Sequence, residues 1–226
     1  MSTCLIAFVK NPVPGAVKTR LQTCYTPTQA AALYCAFVLD CLGTYRSVAA
    51  DRYVVAYDPP DAQARIKRLV GPGWDLHPQA QTDLGGRMAE AFEWSFREGT
   101  TRTVLLGTDT PTLPAEHVRQ ALCLLREKDL VLGPSTDGGY YLIGLSKPFP
   151  EVFRDIDWST GGVLARTLDR AGGVSLGLTP PWYDVDTPAE LDVLLAHAKA
   201  LDLSGTPAAL DHTRQCLSTL DIRSSQ

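Results

Sequence analysis

The sequence lacks most of the features that would settle its class at a glance. It has no run of ~18 apolar residues, the length a membrane helix requires, and no long apolar stretch after a basic start. Neither a membrane span nor a secretory signal is therefore expected. It has no excess of positive charge: 21 Lys plus Arg against 25 Asp plus Glu give a formal charge of −4. That argues against nucleic acid as a partner. Its six cysteines (Cys4, Cys24, Cys35, Cys41, Cys123 and Cys216) contain no Cys-x-x-Cys pair and sit mostly in apolar runs. They read as reduced cysteines of a cytoplasmic protein. The four histidines (His77, His117, His197 and His212) are too scattered for a zinc site, so carboxylates must hold any metal. Internal repeats and low-complexity tracts are also missing.

What is present is ordinary globular material, 45% hydrophobic and 20% charged over 226 residues. A chain this long can bury about 70% of its unfolded surface and needs no disulfide or structural metal to fold. One domain is expected, with a core over about residues 3–202 and a weakly patterned C-terminal tail over 203–226, either loosely attached or packed as a turn.

Short apolar runs alternate with helical patterns. Strands are expected at Thr3–Val9, Tyr53–Tyr57, Val104–Leu106, Leu130–Leu132 and Tyr140–Leu145. Thr26-Pro27-Thr28-Gln29 has the form of a capping box, and the helix it opens meets a stop at Gly43. Further helices are expected over Asp61–Val70, from Asp83 through Phe96, from Pro114 to about Lys128, over Val163–Arg170, and last from Thr187-Pro188. Asp155-Ile-Asp157-Trp158-Ser159-Thr160 reads as a helix start with a Ser or Thr cap. The alternation implies an α/β fold with a largely parallel sheet and helices on both faces, and the Asp137–Gly139 turn adds an antiparallel pairing. Ligands of such sheets bind beyond the carboxyl ends of the strands.

Five segments carry the unusual residues. Lys10 to Leu21 carries Lys10, Lys18 and Arg20 around Pro12, Pro14 and Gly15. It is either a phosphate cradle or a solvated basic turn. It is no Walker A loop, because Gly15 and Lys18 are two residues apart. Asp109 follows the central strand, where it can hold Mg²⁺ or Mn²⁺ against a diphosphate or simply cap the turn before Pro111. Asp184-Val-Asp186 puts two carboxylates on one face of an extended segment, and a cation would relieve their repulsion. Asp186 or Thr187 can equally cap the final helix. Asp137-Gly138-Gly139 is a turn that brings backbone close to a ligand, or a plain hairpin. Gln81–Met88, with Asp83, Gly85 and Arg87, offers a similar glycine-rich helix start.

Taken in order, these motifs resemble a known family. They are Phe8-Val-Lys10-x-Pro12 with Gly15-x-Val-Lys18-Thr-Arg20-Leu; Gln81-x-Asp83-Leu-Gly85-x-Arg87-Met; Gly107-Thr-Asp109-x-Pro111-x-Leu-Pro114; Leu132-Gly-Pro134-x-x-Asp137-Gly-Gly-Tyr-Tyr-Leu-Ile-Gly144; Trp158-Ser-Thr160; and Asp184-Val-Asp186-Thr-Pro188. Over roughly Leu5 to Leu195 the chain resembles the GT-A, or nucleotide-diphospho-sugar transferase, superfamily. More narrowly it is similar to the radical-SAM/selenodomain-associated transferases, some of them labelled arsenosugar biosynthesis glycosyltransferases.

The resemblance implies a three-layer αβα sandwich with a mixed, mostly parallel, Rossmann-like sheet. It implies that Lys10, Lys18 and Arg20 face the phosphates of a nucleotide-activated donor, with Gly15, Asp83, Gly85, Arg87, Gly138 and Gly139 lining the donor's place. It implies Mg²⁺ or Mn²⁺ at Asp109 with Asp186 and Asp184, and Asp137 to Tyr140 on the side of a small-molecule acceptor. Lys18, Arg20, Asp109 and Asp137 are the catalytic candidates. The expected activity is metal-dependent glycosyl transfer from a nucleotide-sugar. Two alternatives stand beside it. Many GT-A glycosyltransferases carry Asp-x-Asp after the central strand, whereas here Pro111 follows Asp109 by two, as in nucleotidylyltransferases using a nucleoside triphosphate. The Lys18-Thr-Arg20-Leu run is also similar to 2-phospho-L-lactate guanylyltransferases, with a different spacing back to Lys10. The lesser alternative is a nucleotide-binding module without catalysis.

Overall fold

A computed structural model of the chain describes residues 2–158, 160–206 and 208–224, with side chains through 220. Seven strands form one sheet: β1 (Thr3–Lys10), β2 (Arg52–Asp58), β3 (Asp75–Pro78), β4 (Arg102–Leu106), β5 (Leu130–Pro134), β6 (Tyr140–Leu145) and β7 (Leu176–Leu178). Their order is β3-β2-β1-β4-β6-β5-β7. Every pairing is parallel except those of β6, which runs antiparallel to both β4 and β5. The expected α/β fold and the antiparallel pairing after Asp137–Gly139 are both observed.

The helices are α1 (Pro27–Arg46), α2 (Gln63–Val70), α3 (Leu84–Arg97), α4 (Ala115–Leu124), α5 (Val163–Arg170), α6 (Pro188–Leu203) and α7 (Asp211–Ser224). They take opposite faces of the sheet because the strands are apolar on both sides. Leu5, Ala7 and Val9 of β1 pack with Tyr34 and Tyr45 of α1, Ile66 of α2 and Val118 of α4. Cys4 and Ile6, pointing the other way, pack with Met88 and Phe92 of α3 and with Phe153. A third cluster covers the outer side of α1, where Leu33 and Phe37 meet Val185, Leu191 and Leu194 near and within α6 and Leu217 of α7. Thus α1 is buried on two sides and reads apolar nearly all round. No described helix is long and apolar enough to cross a membrane.

Local signals held well. The Thr26 capping box is formed, with Gln29 N–H donating to Thr26 Oγ1, and Thr187 makes a second one with Glu190. Asp83 caps α3 by accepting from Gly86 N–H at 2.8 Å. Several expectations need correction. Gly43 does not stop α1, which continues to Arg46 because Tyr45 is fully buried and donates its hydroxyl to Gly107 O at 2.6 Å. The helix after Pro114 ends at Leu124, short of Lys128. The helix at Pro188 is not the last. The tail after it folds as α7, whose first turn donates to buried Asp40 from His212 N–H, Thr213 N–H and Thr213 Oγ1. Thr160 does not cap α5, whose first turn is preceded by Gly162; Ser159 lies outside the described residues.

Candidate functional site

The carboxyl ends of β1, β4 and β5 open onto one cavity of about 460 Å³. The walls include Lys10 at the end of β1, Asp109 beyond β4, Asp137 beyond β5, and Asp184 and Asp186 before α6.

Backbone bonds bring these segments together. Beyond β5 the chain pairs as an isolated parallel bridge, Ser135 with Trp182, with Thr136 N–H donating to Trp182 O. Three residues later Val185 N–H donates to Asp109 O at 2.9 Å. The 182–186 segment is thereby strung from the end of β5 to the loop after β4. Tyr34 of α1 ties the other side. Its hydroxyl accepts from Lys10 N–H at 3.0 Å and pairs with Thr108 Oγ1 at 3.2 Å.

The loop from Lys10 ends in an uncommon conformation. Lys18 has φ 46° and ψ 43°, in the left-handed region that costs a non-glycine residue about 1 kcal/mol or more. That backbone turns its side chain inward, where it is only 3% exposed. The ammonium donates to Val185 O at 2.7 Å and to Asp186 Oδ1 at 2.7 Å, and it forms an ion pair with Asp109 Oδ1. Burial alone would lower the Lys18 pKa, but the two carboxylates outweigh it and the pKa is raised. Asp109 and Asp186 are themselves 44% and 42% exposed, open to the cavity.

Asp184 is less well served. Its carboxylate accepts a short hydrogen bond from Ser135 Oγ. Burial nonetheless pushes its pKa up to about 7, with Asp137, Asp109 and Asp186 adding like-charge repulsion. The carboxylates therefore gather more negative charge than Lys18 neutralises.

This donor set, all oxygen, suits a hard divalent cation such as Mg²⁺ or Mn²⁺. Among the described residues, however, no three His, Cys, Asp or Glu side chains form a closed metal-ligating group. Asp109, Asp184 and Asp186 share the cavity, yet they are not a ligand triad: Asp184 turns to Ser135, and Lys18 lies between the other two. The residues fit a cation shared between two carboxylates and a substrate's phosphates, the arrangement Mg²⁺ favours.

The structure sorts the other expected residues. Lys10, Lys18, Arg87, Asp109, Asp137 and Gly139 line the cavity with Asp184 and Asp186. Arg20, Gly15, Asp83, Gly85 and Gly138 are not among its lining residues. Arg20 is exposed in the short turn after Lys18, and Asp83 is occupied in capping α3. Gly138 and Gly85 are glycines for reasons of chain packing. A Cβ on Gly138, at φ +90°, would lie 2.1 Å from Gly161 O, and one on Gly85 would lie 2.7 Å from the Trp158 ring. Arg87 is already paired, with Asp58 at 3.0 Å and Thr82 O at 2.9 Å. Sequence reasoning missed Ser135, Tyr34 and the apolar wall of Phe8, Met88, Trp158 and Val163. Ser135 stands in a motif already noted, and only its partner 49 residues away was hidden.

A family model described as "Uncharacterized protein conserved in bacteria (DUF2064)" matches residues 42–160. The chain is similar, at 37% identity and TM-score 0.85, to a crystal structure from Desulfovibrio desulfuricans G20 provisionally named a nucleotide-diphospho-sugar transferase, with 97% of this chain and 98% of that one covered. It shares its fold, at 14% identity and TM-score 0.56, with a CMP:2-keto-3-deoxy-manno-octonic acid synthetase complexed with CTP, over 87% and 98% of the two chains. It does so too with Rv0371C of Mycobacterium tuberculosis H37Rv in complex with manganese, at 15% identity and TM-score 0.53, over 87% and 99%. No curated protein matches the chain.

Proposed function

The chain belongs to the DUF2064 family, and from that premise we propose that it is a divalent-metal-dependent transferase that moves a sugar from a nucleotide-diphospho-sugar to a small-molecule acceptor. A nucleotide-utilising transferase is the coarser description that its structural relatives support. The observation that carries the metal-dependent part of the reading is the meeting of Asp109 with Asp184 and Asp186 in one cavity at the carboxyl ends of the strands. The D. desulfuricans relative, similar along almost the whole chain, favours sugar transfer.

In this reading Asp109 and Asp186 hold Mg²⁺ or Mn²⁺ together with the donor's diphosphate. The cation, when bound, supplies positive charge against the leaving diphosphate. Lys10, exposed on the rim of the cavity, meets the phosphates as they arrive. Lys18 adds positive charge where the leaving group gathers negative charge. Asp137, its Oδ1 accepting from Gly139 N–H at 2.9 Å, orients the attacking hydroxyl of the acceptor. The wall of Phe8, Met88, Trp158 and Val163 seats the acceptor's less polar part and excludes water. The chain's six free cysteines favour work in a reducing compartment, the cytoplasm.

Product identity tests the reading. With Mn²⁺ and a panel of nucleotide-sugars, transfer or slow donor hydrolysis releases a nucleoside diphosphate. Release of pyrophosphate from a nucleoside triphosphate instead would establish nucleotidylyl transfer, the reading favoured by the single Asp109 before Pro111.

A further inference from the structure

We infer that Lys18 is a place-holding cation. In the free protein its ammonium keeps the gap between Asp109 and Asp186 that a divalent cation needs, and it yields that gap when a diphosphate arrives to take it up. The inference rests on the reading that these two carboxylates hold the metal.

An ammonium has three hydrogens. Here Val185 O, Asp186 Oδ1 and Asp109 Oδ1 provide a partner for each. A phosphate oxygen can be bound only if one of them is released. The head group is nearly closed to solvent, and its Nζ lies 5.8 Å and 5.7 Å from the ring centres of Tyr34 and Phe37. This is the environment of an internal counter-ion rather than of a lysine waiting for a ligand. Lys10 is the contrasting case: it is exposed at the cavity's rim, and its side chain has no ion-pair partner among the described residues.

A single positive charge and a double one cannot share the same two carboxylate oxygens without strong repulsion. Metal entering the free protein must therefore displace Lys18, which costs the ammonium its acceptors. Donor phosphates change this, because they give the displaced ammonium new acceptors. Metal and nucleotide then favour each other's binding, and by linkage the gain is the same in either order. The device keeps the carboxylate pair together, and compensated, between turnovers.

The test is Mn²⁺ binding to the nucleotide-free protein, followed by the electron paramagnetic resonance of free Mn²⁺, for wild type, Lys18→Met and Lys18→Arg. Lys18→Met should bind Mn²⁺ at least tenfold more tightly than wild type, and Lys18→Arg, which keeps the charge, should stay within threefold. Equal or weaker binding by Lys18→Met, with wild type still binding, would overturn the inference and leave the metal reading standing. Binding by neither protein would overturn both. A second measurement needs no variant: acetic anhydride labelling of wild type, read by mass spectrometry. Lys18 should be protected without metal and become labelled at saturating Mn²⁺. Unchanged labelling while Mn²⁺ is bound would overturn the inference whatever the variants do.

Discussion

Two charge clusters sit at opposite ends of the sheet, and they solve different problems. At the start of β2 and β3, Arg52 bonds Asp75 at 2.7 Å and Glu98 at 3.1 Å, and its guanidinium lies 4.8 Å from the Trp94 ring centre. Both carboxylates are exposed and Arg52 is half-buried, so water can replace either partner. At the carboxyl ends of the strands, Lys18 is nearly buried, strained in its backbone and outnumbered by Asp109, Asp137, Asp184 and Asp186. The first cluster is one cation between two exposed carboxylates that water solvates. The second gathers four carboxylates on one cavity around a single buried cation. Charge crowded onto a cavity, more than the number of charges, distinguishes the candidate functional end.

The comparison can be broken from either side. The largest effect is expected from Asp109→Ala, which removes one of the two carboxylates proposed to hold the metal. Turnover should fall roughly 10²–10³-fold, and near-normal metal-dependent activity would sink the assignment. Lys18→Met leaves Asp109 and Asp186 facing each other without a counter-ion. Breaking a buried pair costs about 3–5 kcal/mol, and the exposure of both carboxylates reduces that to about 2 kcal/mol. A Tm drop of roughly 4–8 °C follows for a chain of this size. Mn²⁺ should recover more of it than in wild type, as differential scanning fluorimetry would reveal.

Asp184 sharpens the contrast through pH. Its carboxyl is raised from 3.8 to about 7 by burial and then by its acidic neighbours. The folded protein therefore holds this proton more tightly than the unfolded chain does. Its contribution to stability is full below about pH 4 and is lost as pH rises through about 7. Asp184→Asn keeps an acceptor for Ser135 and removes the charge. That variant should flatten urea-melt stability between pH 4 and 7 and gain about 1–2 kcal/mol at pH 8. A profile with the wild-type slope would show that Asp184 is already ionised without cost. The smallest effect belongs to the other end: Arg52→Met should cost under about 1 kcal/mol and leave any response to Mn²⁺ untouched.

How much of this was readable in the sequence depended on distance along the chain. The capping box at Thr26 and a cap at Thr187 were legible because each is closed within four residues. Strands β1 and β6 announced themselves as unbroken apolar runs. The edge strands β3 and β7, four and three residues long and partly exposed, carry no such pattern. Helix α7 was invisible because what docks it is Asp40, more than 170 residues earlier. At the site, carboxylate and lysine positions were legible as residues placed after strands. Their pairing was not: Lys18 meets Asp186 across 168 residues. Gly85 and Gly138 were marked as places of close backbone approach, and what comes close there is Trp158 and Gly161, which lie far off in the chain or outside the local pattern.

The most direct test of the central claim is a thermal-shift panel of UDP- and GDP-sugars, free diphosphates and the four nucleoside triphosphates, each with and without Mn²⁺, on wild type and Asp109→Asn. A ligand at 100 times its Kd adds about 2.7 kcal/mol, a rise of roughly 5–10 °C here. The account predicts such a rise for one nucleotide-sugar, dependent on Mn²⁺ and lost in Asp109→Asn. A response indifferent to both Mn²⁺ and Asp109, or none from any nucleotide, would contradict it.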